Sequence, residues 1–391
     1  MTNLSFRIKF KELLQPKDTG HNRSTQFELV GNILDRIKIN NTQTFAVFYT
    51  IEFVIVLLED YGIDPKNIWL FGDSPEKEKV AKYLKINYNS INILDGKKFD
   101  MKFNVVLGNP PFAERGENNK TSTNTTDLSL PFTQKAFDLV EDYVAFIIPS
   151  DWTGPNRSSL KNMLFESYKL KNITLHGDKW FDVQKDTLDF LFDKKHTGDC
   201  LIEDVKGKKM FLKLDNKTIL SNENIQTKLL KKFDLTNNLG SYWHRGSVNA
   251  NDMVEVVNGI EIIETVGRKN EPLKTKIISN KETCGLGEEG LVIGNLGESG
   301  GIGNIKTKKK SQVGGHSVVF LFTSYPDNLK QYLESKLIKY LVSCIKKSTP
   351  NSKSLFENLP EIDFSKKYTD QDLYNLFGIN DAEQKLINSR Y

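Results

Sequence analysis

Residues 105–112 read VVLGNPPF. An apolar run climbs to a glycine and then stops at Asn-Pro-Pro-Phe. Proline cannot donate to a strand ladder, and the residue before a proline is pushed out of helical geometry. The stretch therefore predicts a buried strand, FNVVLG at 103–108, ending in a stiff, extended tetrapeptide. The segments around it alternate. STQFELVGNILDRIK (24–38) carries Phe27, Val30, Ile33 and Leu34 at helical spacing, TFAVFY (44–49) reads as a strand, and IEFVIVLLEDYG as a helix closed by Gly62. NIWLFGDS (67–74) is a second strand, PEKEKVAKYLKI a helix with Pro75 in its first turn, and INILDG (91–96) a short strand. Beyond the tetrapeptide, LPFTQKAFDLVED (130–142) and SSLKNMLFESYK (158–169) predict helices; YVAFIIPSDW (143–152), NITLHGD and TLDFLFDK (187–194) predict strands. This rhythm predicts an α/β fold with a doubly wound, mostly parallel sheet. Ligands of such sheets bind outside the carboxyl ends of the strands. Asp73, Asp95, Asn109 and Pro149 all fall at predicted strand ends and are expected on one rim.

The chain has 391 residues, 38% hydrophobic and 27% charged, enough for two or three domains. The longest apolar run, FVIVLL at 53–58, is far short of the roughly 20 residues of a membrane span, so no membrane partner is expected. MTNLSFRIKFKELLQ has charges throughout and no apolar core, which predicts no signal peptide and a cytoplasmic protein. Cys200, Cys284 and Cys344 form no CxxC pair, and the five histidines show no ligand spacing, so no metal site is expected. The net charge of +4 is mild, but KTKKK (306–310) and KKSTPNSK (346–353) gather positive charge in the C-terminal half.

Texture changes near 197–205, which sets expected domains at 1–200 and 201–391, the second of mixed α+β type. Residues 285–303 hold eight glycines in nineteen positions and predict loop or irregular β structure. They follow no clean strand and open no helix, so they do not form a dinucleotide-binding loop. LKQYLESKLIKYLVSCIKK (329–347) predicts a helix, and short capped helices close the chain.

The tetrapeptide supplies a particular set of groups. The Asn109 side-chain carbonyl and the Pro110 backbone carbonyl are two acceptors, Pro110 and Pro111 hold them in fixed directions, and Phe112 offers a flat apolar face. That set suits a planar group with an exocyclic NH₂, such as adenine. Accepting both amino protons draws the nitrogen toward tetrahedral geometry and frees its lone pair. Rigid acceptors raise the rate because little reorganisation remains.

On these residues the chain resembles the N6-adenine DNA methyltransferases, whose catalytic motif is (D/N/S)PP(Y/F/W). The likeness covers about residues 21–195, in the motif order with cofactor elements first. It implies a class I, Rossmann-like fold, S-adenosylmethionine as cofactor, double-stranded DNA as substrate, a flipped target adenine, and a separate restriction endonuclease as functional partner. STQFELVGNIL is similar to the family's opening helix, which places Thr25 at the methionine part of the cofactor, with Gln26 where proline is usual. WLFGDS resembles the ribose-binding motif, through Asp73 with Ser74 beside it, and NILDG puts Asp95 near the cofactor adenine. VAFIIPSDW resembles the strand after the catalytic loop. WFDVQKDTLDFLFDK resembles the motif whose aromatic stacks on the target base opposite Phe112; Phe181 is the match and Trp180 the runner-up. The family's glycine-rich first motif is missing: TFAVFYTIEFV has no glycine, which leaves Tyr49 and Glu52 as the expected cofactor contacts there.

In the C-terminal half, Lys306, Lys308, Lys309 and Lys310 are candidates for phosphates, and His244 and Arg245 of YWHRG for base edges. Two other readings stay open. One is a DNA-binding protein that keeps the fold without its cofactor. The other is a methyltransferase acting on protein glutamine or RNA adenine.

Overall fold

The computed structural model of the chain describes residues 25–72, 74–90, 94, 100–111, 113–115, 125–155, 158–177, 179–180, 186–246, 255–267, 271–278, 287–297, 300–346 and 350–391, with backbone alone at 113–115, 125–127 and 255–258. It divides into two compact units. One comprises Met1–Trp152, Arg157–Asn216 and Asn222–Asn224, and the other Thr153–Asn156, Lys217–Ser221 and Ile225–Tyr391.

The first unit is built on β1 (Phe45–Phe48), β2 (Ile68–Phe71), β3 (Asn87–Asn89) and β4 (Phe103–Gly108), all parallel. A hairpin of β5 (Ala113–Arg115) and β6 (Thr125–Asp127) follows the tetrapeptide. Next come β7 (Val140–Pro149), parallel to β4, then β8 (Leu170–Gly177) and β9 (Thr187–Asp193). β9 runs antiparallel between β7 and β8. β10 (Cys200–Glu203) and β11 (Lys209–Leu212) extend the sheet beyond β8. The nine strands stand in the order β11-β10-β8-β9-β7-β4-β1-β2-β3. The mostly parallel core with β9 reversed between β7 and β8 is the expected class I methyltransferase arrangement. The expected domain limit at residue 200 falls on the first residue of β10, and the sheet continues past it.

β1 is FAVF, buried along its whole length, as a central parallel strand covered on both faces must be. Alternation sorts its side chains. Phe45 and Val47 join Val105, Leu107, Ala145 and Ile147 against α1 (Phe27–Leu34), α2 (Ile51–Glu59) and α3 (Pro75–Leu84). Phe48 points to the other face, where its ring meets Phe71 and Phe146 at 5.6 and 5.5 Å and Phe132 of α4 (Ser129–Leu139) at 6.4 Å. α5 (Ser159–Glu166) packs beside α4. The expected strand at 91–96 lies outside the described residues except for Leu94.

The second unit has α6 (Asn224–Leu230) followed by β12 (Trp243–Arg245), β13 (Glu255–Thr265), β14 (Lys274–Ile278), β15 (Gly290–Gly294), β16 (Ile305–Lys308), β17 (Gln312–Gly314) and β18 (Val318–Phe322). These form a four-stranded sheet, β12-β18-β15-β16, and a three-stranded one, β14-β13-β17. Part of the glycine-rich stretch is thus a regular central strand. An added Cβ at Gly290 would lie 2.3 Å from the Leu321 carbonyl oxygen, so β15 and β18 can pair there only through glycine. The expected single helix at 329–347 is two: α7 (Pro326–Glu334) and α8 (Lys336–Ile345). Ser335 breaks it because its backbone is extended (φ −63°, ψ 153°) and its hydroxyl caps α8 by accepting from Ile338 N–H at 3.3 Å. Three short helices, α9 (Lys353–Phe356), α10 (Asp370–Leu376) and α11 (Asp381–Asn388), complete the unit.

Candidate active site

β4 meets β1 at its carboxyl end without a side chain between them. An added Cβ at Gly108 would sit 2.9 Å from both Cβ and the carbonyl oxygen of Phe48. The next residue is Asn109, and three neighbours fix it. Its backbone N–H donates to Thr50 Oγ1 at 2.8 Å, and that hydroxyl donates in turn to the Phe48 carbonyl at 3.1 Å. Its Nδ2 donates to Thr25 Oγ1 at 3.0 Å. Thr25 N–H donates to Glu52 Oε1 at 2.9 Å. Thr25, Thr50 and Glu52 are all buried, while Asn109 is half-buried, Pro110 buried and Pro111 exposed. Among the described residues no donor meets Asn109 Oδ1 or the Pro110 carbonyl.

The sheet thus brings Thr25, Glu52 and Asn109 together, and adds Thr50, which the sequence reading passed over. Its signal was present: a threonine directly before an apolar helix is a helix-start residue. Phe112, Asp73, Asp95 and Phe181 lie outside the described residues. Ser74 caps α3, its Oγ accepting from Lys77 N–H at 3.3 Å. Trp180 is half-buried; its carbonyl accepts from Gln26 Nε2 at 3.5 Å, and Lys179 Nζ stands 4.4 Å from its ring centroid.

Tyr49 and Thr50 alone join β1 to α2. Tyr49 takes the left-handed conformation usually left to glycine, with φ 61°, and its N–H donates to the Phe71 carbonyl at 2.8 Å. Its ring stands edge-on to Phe132 at 5.5 Å, and Lys77 Nζ lies 4.8 Å from the ring centroid. The turn therefore exists without its glycine, and an aromatic side chain stands where the family has bare backbone. The groups at this rim are a carboxylate, two hydroxyls, an amide and an aromatic face. That donor set fits a ligand with an ammonium, a sulfonium and a purine, which is the chemistry of S-adenosylmethionine.

A second polar cluster was not foreseen. Arg36 donates to Asn172 Oδ1, to Asp189 Oδ1 and, at 2.7 Å, to Thr174 Oγ1, while His176 Nε2 is 2.8 Å from Asp189 Oδ2. Burial pushes the Asp189 carboxyl up, but the Arg36 guanidinium and the His176 ring outweigh it and hold it below the usual carboxylate range. Its members lie far apart in sequence, on α1's C-terminal side, β8 and β9, so no spacing announces it.

The basic candidates of the second unit separate. Lys308 is fully buried; its Nζ donates to the Glu288 and Lys309 carbonyls at 2.6 and 2.9 Å and lies 5.7 and 5.8 Å from the Phe320 and Phe322 ring centroids. Strand alternation turns it inward, so it is a structural ammonium and not a phosphate contact. Lys306 donates to the Glu271 carbonyl. Lys309 and Lys310 are exposed. His244 and Arg245 are exposed on β12, the His244 ring 4.7 Å from Phe322; burial, then Lys353, hold its imidazole below the usual range. Among the described residues, no group of three His, Cys, Asp or Glu side chains is placed to hold a metal, and no helix is long and apolar enough to cross a membrane.

Residues 22–181 match the Eco57I restriction-modification methylase family. No curated protein sequence matches the chain. Among solved structures, the chain is similar to the M protein of the type I restriction enzyme EcoKI, with 17% identity and a TM-score of 0.39 over 48% of this chain and 49% of that one. It is similar to a modification subunit of a putative type I restriction enzyme from Vibrio vulnificus, with 14% identity and a TM-score of 0.37 over 56% of this chain and 54% of that one. The type IIG restriction endonuclease BpuSI aligns over 95% of this chain and 61% of its own, at 12% identity and a TM-score of 0.45. The chain thus spans about half of the first two chains.

Proposed function

We propose that the protein is a site-specific DNA methyltransferase that moves a methyl group from S-adenosylmethionine to N6 of an adenine extruded from the duplex. The observation that carries this reading is the Asn109 amide at the end of β4, tied through Nδ2 to Thr25 and through its backbone to Thr50. That leaves Oδ1 and the Pro110 carbonyl as two acceptors for the two amino protons of one base. The cofactor supplies a methyl carbon already activated by its sulfonium. Asn109 and Pro110 would accept the amino protons and polarise the nitrogen, so that its lone pair could take the methyl carbon as the carbon–sulfur bond breaks. The electron pair stays on sulfur as a neutral thioether, and the excess proton leaves to solvent. Extruding the base costs a few kcal/mol. Phe112 and Phe181 offset part of it by stacking, at about 1–3 kcal/mol per base.

Tyr49, with Ser74, Asp73 and Asp95, forms the cofactor side of this reading. The second unit is the target-recognition domain, with Lys309 and Lys310 for phosphates and Arg245 and His244 for base edges. Methylation of one sequence would protect host DNA from a separate endonuclease. The test is transfer of labelled methyl to duplex DNA by the purified chain, with the product base identified by mass spectrometry. N6-methyladenine supports the reading; label only in protein or RNA overturns it.

The glycine-free turn at Tyr49 favours one alternative, a DNA-binding protein without cofactor. Calorimetric titration decides: micromolar S-adenosylmethionine binding excludes it, and no binding at millimolar concentration establishes it.

A further inference from the structure

The tie between Asn109 and Thr25 carries a consequence for residues that the family resemblance assigns to the cofactor. Thr25 is 2% exposed, and both its hydroxyl and its backbone N–H are engaged inside the protein, by Asn109 Nδ2 and Glu52 Oε1. With its backbone N–H and the acceptor side of its hydroxyl committed inside the protein, Thr25 has only the hydroxyl proton left to donate to a ligand. A hydrogen bond to one end of a side-chain amide decides which way the other end faces. With Nδ2 held on Thr25, Oδ1 is the end presented. Glu52 sits in the first turn of α2, where the helix dipole favours a carboxylate, and holds the Thr25 backbone in register.

We propose that Thr25 and Glu52 are positioning residues for the Asn109 amide: Glu52 fixes Thr25, and Thr25 sets which end of the amide meets the target amino group. The inference rests on the methyltransferase reading. It makes the β4 tetrapeptide depend on a residue 84 positions earlier in the chain, just ahead of α1. It also places the role of Thr25 in the chemical step and not in cofactor affinity.

The test compares full-length wild type with Thr25→Val, Thr25→Ala and Thr25→Ser. Three quantities are measured: the single-turnover methyl-transfer rate at saturating cofactor and duplex DNA, cofactor affinity by calorimetry, and melting temperature. Thr25→Val and Thr25→Ala are expected to slow transfer about 10- to 100-fold, the scale of a misplaced reacting group, with cofactor affinity unchanged within about twofold. Thr25→Ser, which keeps the hydroxyl, recovers most of the rate. Thr25→Ala leaves space and no misplaced methyl, so it remains informative if the valine variant melts early. A near-normal rate in both Val and Ala variants overturns the inference while leaving the methyltransferase reading intact. Weakened cofactor binding with a normal saturated rate also overturns it and returns Thr25 to the cofactor. If wild type itself transfers no methyl to DNA, the methyltransferase reading fails and the inference falls with it.

Discussion

At the residue scale, the site rests on one amide and the groups that hold it. Asn109→Ala removes an acceptor aimed at the reacting nitrogen, and loss of one such preorganised group costs about 10²–10³ in rate. Asn109 is only half-buried, so its melting temperature is expected to stay close to wild type. Single-turnover kinetics and thermal melts together check this. Asp189 behaves differently. Its carboxyl lies below the usual range in the folded state because Arg36 and His176 outweigh its burial. A depressed carboxylate contributes stability above its unfolded value, about pH 4, and loses that contribution as the pH falls through the folded value. Urea unfolding from pH 6 down to pH 3 is therefore expected to show a steeper loss for wild type than for Asp189→Asn.

At the scale of elements, the central strands were legible because FAVF, IWLF and FNVVLG are apolar runs bounded by turn residues. The helices between them followed from spacing and from Pro75 in the first turn of α3, and the hydroxyls of Ser74 and Ser158 prove to cap α3 and α5. What escaped reading depends on tertiary context. The turn at Tyr49 uses a left-handed tyrosine, a conformation that sequence assigns to glycine, and its ring contacts with Phe132 and Lys77 come from distant elements. β10 (CLIE) and β11 (KMFL) are short apolar runs set in a charged segment that reads as polar and mixed, yet they pair at the edge of the sheet. The break between α7 and α8 is a polar residue within a continuous helical pattern. Ser335→Ala removes the cap on α8 and is expected to cost about 0.5–2 kcal/mol, read as a lower denaturant midpoint.

At the scale of the whole molecule, the unit that holds most of the family-matched residues 22–181 is followed by a second unit with its own sheets and core. Charge counting alone placed all of KTKKK at the DNA, but strand alternation divides the run. Lys308→Ala takes away a buried ammonium and its hydrogen bond to the Glu288 carbonyl, while the Lys309 carbonyl keeps the Gln312 N–H, so it is expected to cost about 1–3 kcal/mol of stability. Lys309→Ala and Lys310→Ala leave the fold intact and weaken DNA binding across sequences, each lowering the salt slope by about 1 if that lysine meets a phosphate. Melting curves and binding at graded salt separate the two roles. The central claim is that VVLGNPPF presents acceptors to an adenine amino group, and sequencing that detects modified bases tests it most directly. DNA from cells expressing wild type is expected to carry N6-methyladenine at one recurrent sequence, and DNA from cells expressing Asn109→Ala is expected to carry none. An unmodified genome beside well-expressed, folded wild type, or the same mark with Asn109→Ala, would contradict the account.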